Sequence, residues 1–368
     1  MPNMLLVDGN SLINREFFGV RTLNSRSGIP TNAVYGFVNV LAKHIADIGP
    51  TCGATCWDLK GPTFRHKMYD GYKAGRKPMP DELFAQLPYA KRVSVLMGLR
   101  VVECEGWEAD DDIGTLARIG EENGYFVYIL TGDRDSLQLI SDSVHVLLVG
   151  NKGVSEIGRG EFSEQWGIRP EQFVDLKAIM GDPSDKIPGV RGIGPATAPY
   201  LISAYGSLDG LYEAIEKDGF ADPKITKGTL SKLKSDKDSA YLSQKLARID
   251  RQAPLGITAG DIAVKPMDRE GMLELCTELD FYGFIDRFSL RGEKNAAEER
   301  RGGEYEEIPP DKAAEAFTAL DKDALCAVFV SPDLLSVSAA QGEKRLTARF
   351  ASADGIACLK GFFEDGDR

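Results

Sequence analysis

Histidine is the scarcest reactive side chain in this 368-residue chain, present only as His44, His66 and His145. Three scattered imidazoles argue against a histidine-based metal centre or nucleophile–histidine triad. The 6 cysteines (Cys52, Cys56, Cys104, Cys276, Cys326 and Cys358) show no paired C-x-x-C. Neither zinc nor a disulfide framework is expected, and reduced thiols suit a cytoplasmic protein. No apolar run approaches the roughly 20 residues that span a membrane. The start, MPNMLLVDGN, shows no basic leader. Positive charge is also short: 56 acidic against 44 basic residues give a formal net charge of −12. That balance looks wrong for a phosphate binder, because Lys and Arg supply such affinity. It is reconciled if many of the acids hold cations.

What the chain does have is carboxylate in four clusters: Asp8; Glu108, Asp110 and Asp111; Asp133 and Asp135; Asp182 and Asp185. The first and third follow short apolar runs, LLV and YILTG, where a buried strand ends, and LRVVECEGW leads to the second. Strands are expected at 4–8, 51–57, 100–104, 125–130 and 144–148, with a turn at DGNSL. Helices are expected over 31–48, 110–123 and 135–140. This alternation predicts an α/β fold: a mostly parallel central sheet with flanking helices and a site at the strands' carboxyl ends.

The core should occupy 1–168, interrupted at about 61–98 by an Arg-, Lys- and Tyr-rich excursion of the kind that is commonly functional. A mainly helical segment over 169–290 follows, with a second basic stretch from Lys224 to Lys237. Residues 291–304 lack large apolar side chains and read as a linker. The helix- and strand-like runs of 305–368 look too few for an independent domain.

Acids crowded at one sheet edge raise one another's pKa and cost stability unless a cation holds them. Hard oxygen donors with little histidine suit Mg²⁺ or Mn²⁺, and such ions suit in-line phosphodiester hydrolysis. Helix capping also explains the run from Glu108 to Asp111, but Asp8, Asp133 and Asp135 on neighbouring strand ends favour metal. Asp112 is expected to point away. In GDPSDKIPGVRGIGPATA (181–198), glycines let backbone N–H groups approach a phosphate, and a helix starts near Pro195. A simple turn is the bland alternative; the fuller pattern looks like a helix–hairpin–helix that holds DNA backbone. Tyr72, Lys73 and Arg76 lie within a turn and a half of helix, near Arg65 and Lys77. They fit a solvated face, or a clamp in which Lys73 and Arg76 neutralise a scissile phosphate and Tyr72 stacks on a base. Arg15 is equally open.

The strings LLVDGNSL, AVYGF, FRHKMYDGYKAGRKPMP, GWEADD, LTGDRD and GDPSDKIPGVRGIG stand in a telling order. Over roughly 1–290 the chain resembles the flap-endonuclease family, as in the 5′-nuclease domain of bacterial DNA polymerase I. The resemblance implies a PIN-like nuclease core with a helical arch and a helix–hairpin–helix subdomain. Its substrates would be 5′-flap, nicked or gapped DNA and RNA–DNA primer junctions, cut with two or more Mg²⁺ ions, Mn²⁺ substituting. It implies metal roles for Asp8, Glu108, Asp110, Asp111, Asp133, Asp135, Asp182 and Asp185, with Asp58 beside them. Lys73 and Arg76 become catalytic; Arg15, Arg65, Tyr72, Gly189, Gly192, Ile193 and Gly194 become DNA contacts, with K⁺ in the hairpin. Two departures stand out: Lys186 replaces the usual Asn, and Pro195-Ala196 replaces Glu-Lys, removing a phosphate-contacting lysine.

The tail from about Tyr305 resembles the start of a proofreading-exonuclease domain. Its first strand, ALCAVFVSPDLLSVS, lacks the Asp-x-Glu of active members, so the tail reads as degenerate. A bacterial cytoplasmic, nucleoid-associated monomer is expected, with a polymerase domain acting in cis or in trans. A PIN-like ribonuclease, and a catalytically silent module that brings a polymerase to flaps, are the alternatives.

Overall fold

The computed structural model describes residues 1–150, 153–291, 306–320, 327–330, 336–341 and 344–363. The chain divides into two units, Met1–Phe284 and Ile285–Arg368. In the first, β1 (Asn3–Asp8) is buried along Met4–Val7, as a strand covered on both faces must be. β2 (Cys52–Cys56) and β3 (Arg100–Val102) extend the sheet on one side; β4 (Phe126–Thr131), β5 (Val144–Gly150) and β6 (Gly153–Ile157) extend it on the other. The order is β3-β2-β1-β4-β5-β6, parallel except for the antiparallel β5–β6 pair. The chain therefore moves outward from β1 twice, in opposite directions. The crevice at that reversal, between the ends of β1 and β4, is where α/β sheets take ligands.

The turn expected at DGNSL is instead the start of helix α1 (Gly9–Gly19), capped by Asp8, whose Oδ1 accepts from the Ser11 N–H at 2.9 Å. Gly9 is needed there because a Cβ would stand 2.3 Å from the Trp57 ring. Helix α2 (Asn32–Ile48) is capped from afar: the Ala33 and Val34 N–H groups donate to buried Gln86 Oε1 at 2.8 and 3.1 Å. The excursion holds α3 (Phe64–Met68), α4 (Asp81–Phe84) and α5 (Leu87–Leu96). Tyr72 and Lys73 lie on turns and Arg76 just after them, none on a helix, and Lys73 takes a left-handed φ of 53°. α6 (Ala109–Glu122) matches its expected helix, whereas Arg134–Leu139 is a 3₁₀ turn.

The remaining helices are α7 (Arg159–Trp166), α8 (Phe173–Met180), α9 (Ala198–Tyr205), α10 (Leu208–Glu216), α11 (Lys227–Ser235), α12 (Lys237–Ala247), α13 (Arg269–Glu278) and α14 (Tyr282–Arg287). One apolar cluster runs from Met4, Ile113 and Ile129 through Leu176 and Ile179 to Leu201, Leu211 and Leu233. The sheet and the helical segment thus share a core. Among the described residues, no helix is long and apolar enough to cross a membrane.

The second unit holds β7 (Glu306–Ile308), α15 (Pro310–Thr318), β8 (Ala327–Val330), β9 (Ser336–Gln341), β10 (Lys344–Arg349) and α16 (Lys360–Phe363). Its sheet, ordered β7-β10-β9-β8, packs a small core around Phe317, Val337, Ala348 and Leu359. The four residues of β8, AVFV, include no acid. Apart from Arg291, the expected linker at 291–304 lies outside the described residues.

Candidate active site

An open cavity of about 990 Å³ lies at the switch between β1 and β4. Asp8, Asp58, Glu108, Asp110 and Asp133 line it, with Arg15, Lys73, Arg76 and Lys77. Each acid is placed by a local rule. Asp8 ends β1 and caps α1, and its other oxygen accepts from Thr131 Oγ1 at 2.7 Å. Thr131 in turn accepts from the Asp133 N–H at 2.9 Å, tying the ends of β1 and β4 together. Asp133 caps the 3₁₀ turn. Asp58 accepts from the Ala109 N–H at 2.8 Å at the start of α6. Thr131 is a positioning residue that the sequence did not single out.

Burial pushes the Asp8 carboxyl up to about 7, against the two hydrogen bonds it accepts, and Asp58 and Asp133 add repulsion. Asp110 is pushed well above the carboxylate range by burial, then by Asp8, Asp133 and Asp135. Such acids gain from a nearby cation. The donors are all oxygen, which fits a hard divalent ion. Among the described residues, no three His, Cys, Asp or Glu side chains close on one point at metal-ligand spacing. The acids ring the cavity rather than gripping a finished coordination sphere.

Arg65 and Asp111 depart from expectation. The Arg65 guanidinium is 2% exposed and binds Asp111 through both terminal nitrogens at 2.7 Å. It also donates to Glu108 Oε2 at 3.1 Å and to the Leu246 and Arg248 carbonyls at 2.9 and 2.7 Å. Asp111, fully buried, accepts from the Asp250 and Glu108 N–H groups as well. A buried charge must be paired, so Arg65 is held inside by Asp111 rather than turned toward solvent, and Asp111 has its charge balanced by Arg65.

Tyr72 is corrected likewise. At 4% exposure it donates to Glu108 Oε2 at 2.9 Å and braces that acid instead of presenting a face to a base. Glu108 also accepts from Lys73 Nζ at 3.0 Å. Burial works against its charge, but Lys73 and Arg65 outweigh it and lower the pKa. The Lys73 N–H donates to the Asp185 carbonyl at 2.9 Å, pinning this loop, while Arg76 stays exposed at the cavity rim.

Two of the remaining acids, Asp135 and Asp182, form a second group around Lys177 on α8. Its Nζ bridges Asp135 and Asp182, lying 2.8 Å from Asp182 Oδ2. Burial opposes the Asp182 charge, but hydrogen bonds from Lys177 and Ser184 hold the pKa at about 2. Burial pushes Asp135 up to about 6 despite Lys177. Asp185 stands 3.8 Å from Lys73 Nζ. The signal for Lys177 was a lysine that shares the mainly apolar FVDLKAIM with Asp175, easily read as a surface residue.

In the hairpin, Gly189 and Gly192 have left-handed φ of 64° and 73°. A Cβ on Gly189 would stand 2.4 Å from Gly181 N, and Ser239 and Ser243 of α12 hold its carbonyl and N–H at 2.7 and 2.9 Å. Gly194 has open space around it and no positive φ, so conformational need does not explain it. Ile193, 5% exposed, belongs to the core and anchors the hairpin, which corrects its expected DNA contact. Lys232 of α11 reaches to 3.5 Å from the Gly192 carbonyl, bringing a cation to the hairpin whose own sequence has Ala at 196.

Two profiles of one family match the chain one after the other over residues 3–270. "5'-3' exonuclease, N-terminal resolvase-like domain" covers residues 3–167, and "5'-3' exonuclease, C-terminal SAM fold" covers 168–270. DNA polymerase I of Caldicellulosiruptor bescii is 38% identical over 291 residues, 78% of this chain and 33% of that protein. Thermostable DNA polymerase I of Thermus filiformis is 36% identical over 357 residues, 97% of this chain and 40% of that protein. The chain thus spans about a third of the length of the curated relatives it matches. A T5 5'-exonuclease with bound zinc shares the fold at a TM-score of 0.58 and 20% identity, over 75% of this chain and 99% of that one. The catalytic core of Rad2 in complex with DNA substrate shares it at 0.51 and 14%, over 76% and 88%. With both profiles laid across its sheet and its helices, the chain belongs to the 5′-3′ exonuclease family, matching the nuclease region of DNA polymerase I.

Proposed function

We propose that the chain is a structure-specific 5′ nuclease that hydrolyses phosphodiesters in 5′ flaps, nicked or gapped duplexes and RNA primers during bacterial DNA replication and repair. The observation that carries this reading is the trio Asp8, Asp110 and Asp133, which repel one another in a cavity whose rim carries Lys73 and Arg76. The trio would hold one Mg²⁺ or Mn²⁺; Asp135, Asp182 and Asp185 would hold a second. Bound there, the ions supply a nucleophile at neutral pH and stabilise the leaving oxygen. Lys73 and Arg76 meet the scissile phosphate and offset the charge that builds on it. Lys73 is already oriented by Glu108 and pinned by its backbone bond to Asp185.

Gly192 presents hairpin backbone to the DNA phosphates, with Lys232 beside it and K⁺ as a further ligand of the hairpin, while Gly189, held by Ser239 and Ser243, closes the turn behind it. Such contacts hold the duplex without reading sequence. Residues 1–168 serve as the nuclease core, with the basic excursion at its mouth, and 169–290 as the DNA-binding part. The 305–368 segment is the start of a degenerate proofreading-type domain. The protein works in the bacterial cytoplasm at the nucleoid as a monomer, with its polymerase in cis or in trans. The test is cleavage of a labelled 5′-flap duplex, a nicked duplex and a single-stranded RNA with Mg²⁺ and with EDTA. Flap cleavage that EDTA abolishes is expected; cleavage of the RNA alone, or binding without cleavage, would refute the reading.

A further inference from the structure

The helix α8 is buried along most of its length, yet it carries a lysine. Its side chain is 11% exposed and its ammonium lies between Asp135 and Asp182. An ammonium withdrawn from water persists only when carboxylates replace its hydration. Those two acids come from separate segments, the 3₁₀ turn after β4 and the loop after α8. Lys177 is the cation that holds these segments together. Its Nζ donates to Asp135 Oδ1 and, at 2.8 Å, to Asp182 Oδ2.

We infer that the Lys177 ammonium holds the place of the second divalent ion, which binds to Asp135 and Asp182 only by displacing it. The inference rests on the metal reading proposed above. A small divalent ion needs carboxylate oxygens at about 2.0–2.1 Å with near-octahedral directions. The two oxygens turned toward the ammonium would have to turn toward the ion, and two like charges would then share one site. The two ion sites are therefore unequal. Among the described residues no lysine bridges the Asp8, Asp110 and Asp133 group as Lys177 bridges Asp135 and Asp182, so the second group must release a cation that the first does not hold. An empty second site stays closed and charge-balanced instead of springing apart.

The experiment is calorimetric titration of the metal-stripped full chain with Mn²⁺, for wild type, Lys177→Met and Lys177→Arg. Wild type is expected to take one ion tightly and a second weakly. Lys177→Met should bind the second at least 10-fold more tightly while changing the first less than about 2-fold, and Lys177→Arg should stay weak. A separate arm uses wild-type protein labelled at lysine ¹³Cε and titrated with Mg²⁺. The Lys177 resonance, assigned by its loss in Lys177→Arg, should move with the second equivalent and not the first. That arm decides the matter if Lys177→Met fails to fold. An unchanged or weaker second site in Lys177→Met, one ion bound by both proteins, or a Lys177 resonance that never moves would overturn the inference. Wild type that binds no Mn²⁺ at all would instead overturn the metal reading beneath it.

Discussion

Arg65→Met separates two roles that a basic residue near a nuclease site can play. The substitution keeps the aliphatic stem and removes a guanidinium that makes three contacts to Asp111 and Glu108 at 2.7–3.1 Å and two to backbone carbonyls. Asp111 is left fully buried without its counter-ion. Breaking a buried pair from one side costs about 3–5 kcal/mol, and the abandoned carbonyls keep the value at the upper end. At about 2 °C per kcal/mol for a unit of this size, Tm should fall by roughly 8–10 °C. Arg65→Met/Asp111→Leu should recover most of that, since an apolar pair removes the stranded charge. Thermal unfolding in EDTA reads the stability. Binding of a catalytically blocked 5′-flap duplex over a range of salt reads the DNA contact, and its salt slope should not change. A Tm drop below about 2 °C, with a slope reduced by about 1, would make Arg65 a phosphate contact and refute the reasoning.

Asp133→Ala should abolish cleavage with the fold intact by circular dichroism; wild-type turnover would remove Asp133 from the site. A buried acid whose pKa is raised, as Asp8's is to about 7, loses stability as pH climbs from its unfolded value near 4 through 7. The rise in Tm that Mg²⁺ gives over EDTA should therefore be larger at pH 7.5 than at pH 5, and an equal rise at both would contradict it. Lys73→Ala should lower the single-turnover rate by about 10²-fold or more with a smaller change in flap affinity; lost affinity with an intact rate would make Lys73 a clamp. In the hairpin, Gly192→Ala should weaken duplex binding while Gly194→Ala should not, because only Gly192 has a left-handed φ. Equal affinities for the two in a binding titration would refute this.

Where the sequence was readable, several signals agreed. LLV before Asp8 and YILTG before Asp133 marked strand ends because a strand buried on both faces has to be apolar and then stop. The structure puts Asp8 and Asp133 at the switch between β1 and β4. Helix α1 was hidden because Gly9, Asn10 and Ser11 favour turns by local preference, and only contact with Trp57 shows why glycine stands there. Arg65 and Tyr72 were placed on DNA because a basic stretch does not reveal which of its members turn inward. The partners of Arg65 (Asp111, Leu246 and Arg248) and of Tyr72 (Glu108) are distant in sequence, so pairing could not be read from spacing. The same distance hid Lys232 from the hairpin and Lys177 from Asp135. Gly194 looked like Gly192 in the string GVRGIG, and only backbone angles tell them apart.

The apolar cluster that runs from the sheet into the helices bears on how this protein can be cut and recombined. The two family profiles meet between residues 167 and 168, which suggests modules that could be inherited or exchanged separately. The cluster ignores that seam: Met4 and Ile129 belong to it along with Leu201 and Leu233. Severed at 167, each half would expose the apolar face that the other covers, and Arg65 would lose the Leu246 and Arg248 carbonyls. What descends as two pieces of sequence should melt as one. A swap of the helical half between relatives would then succeed only when its core residues travel with those of the sheet.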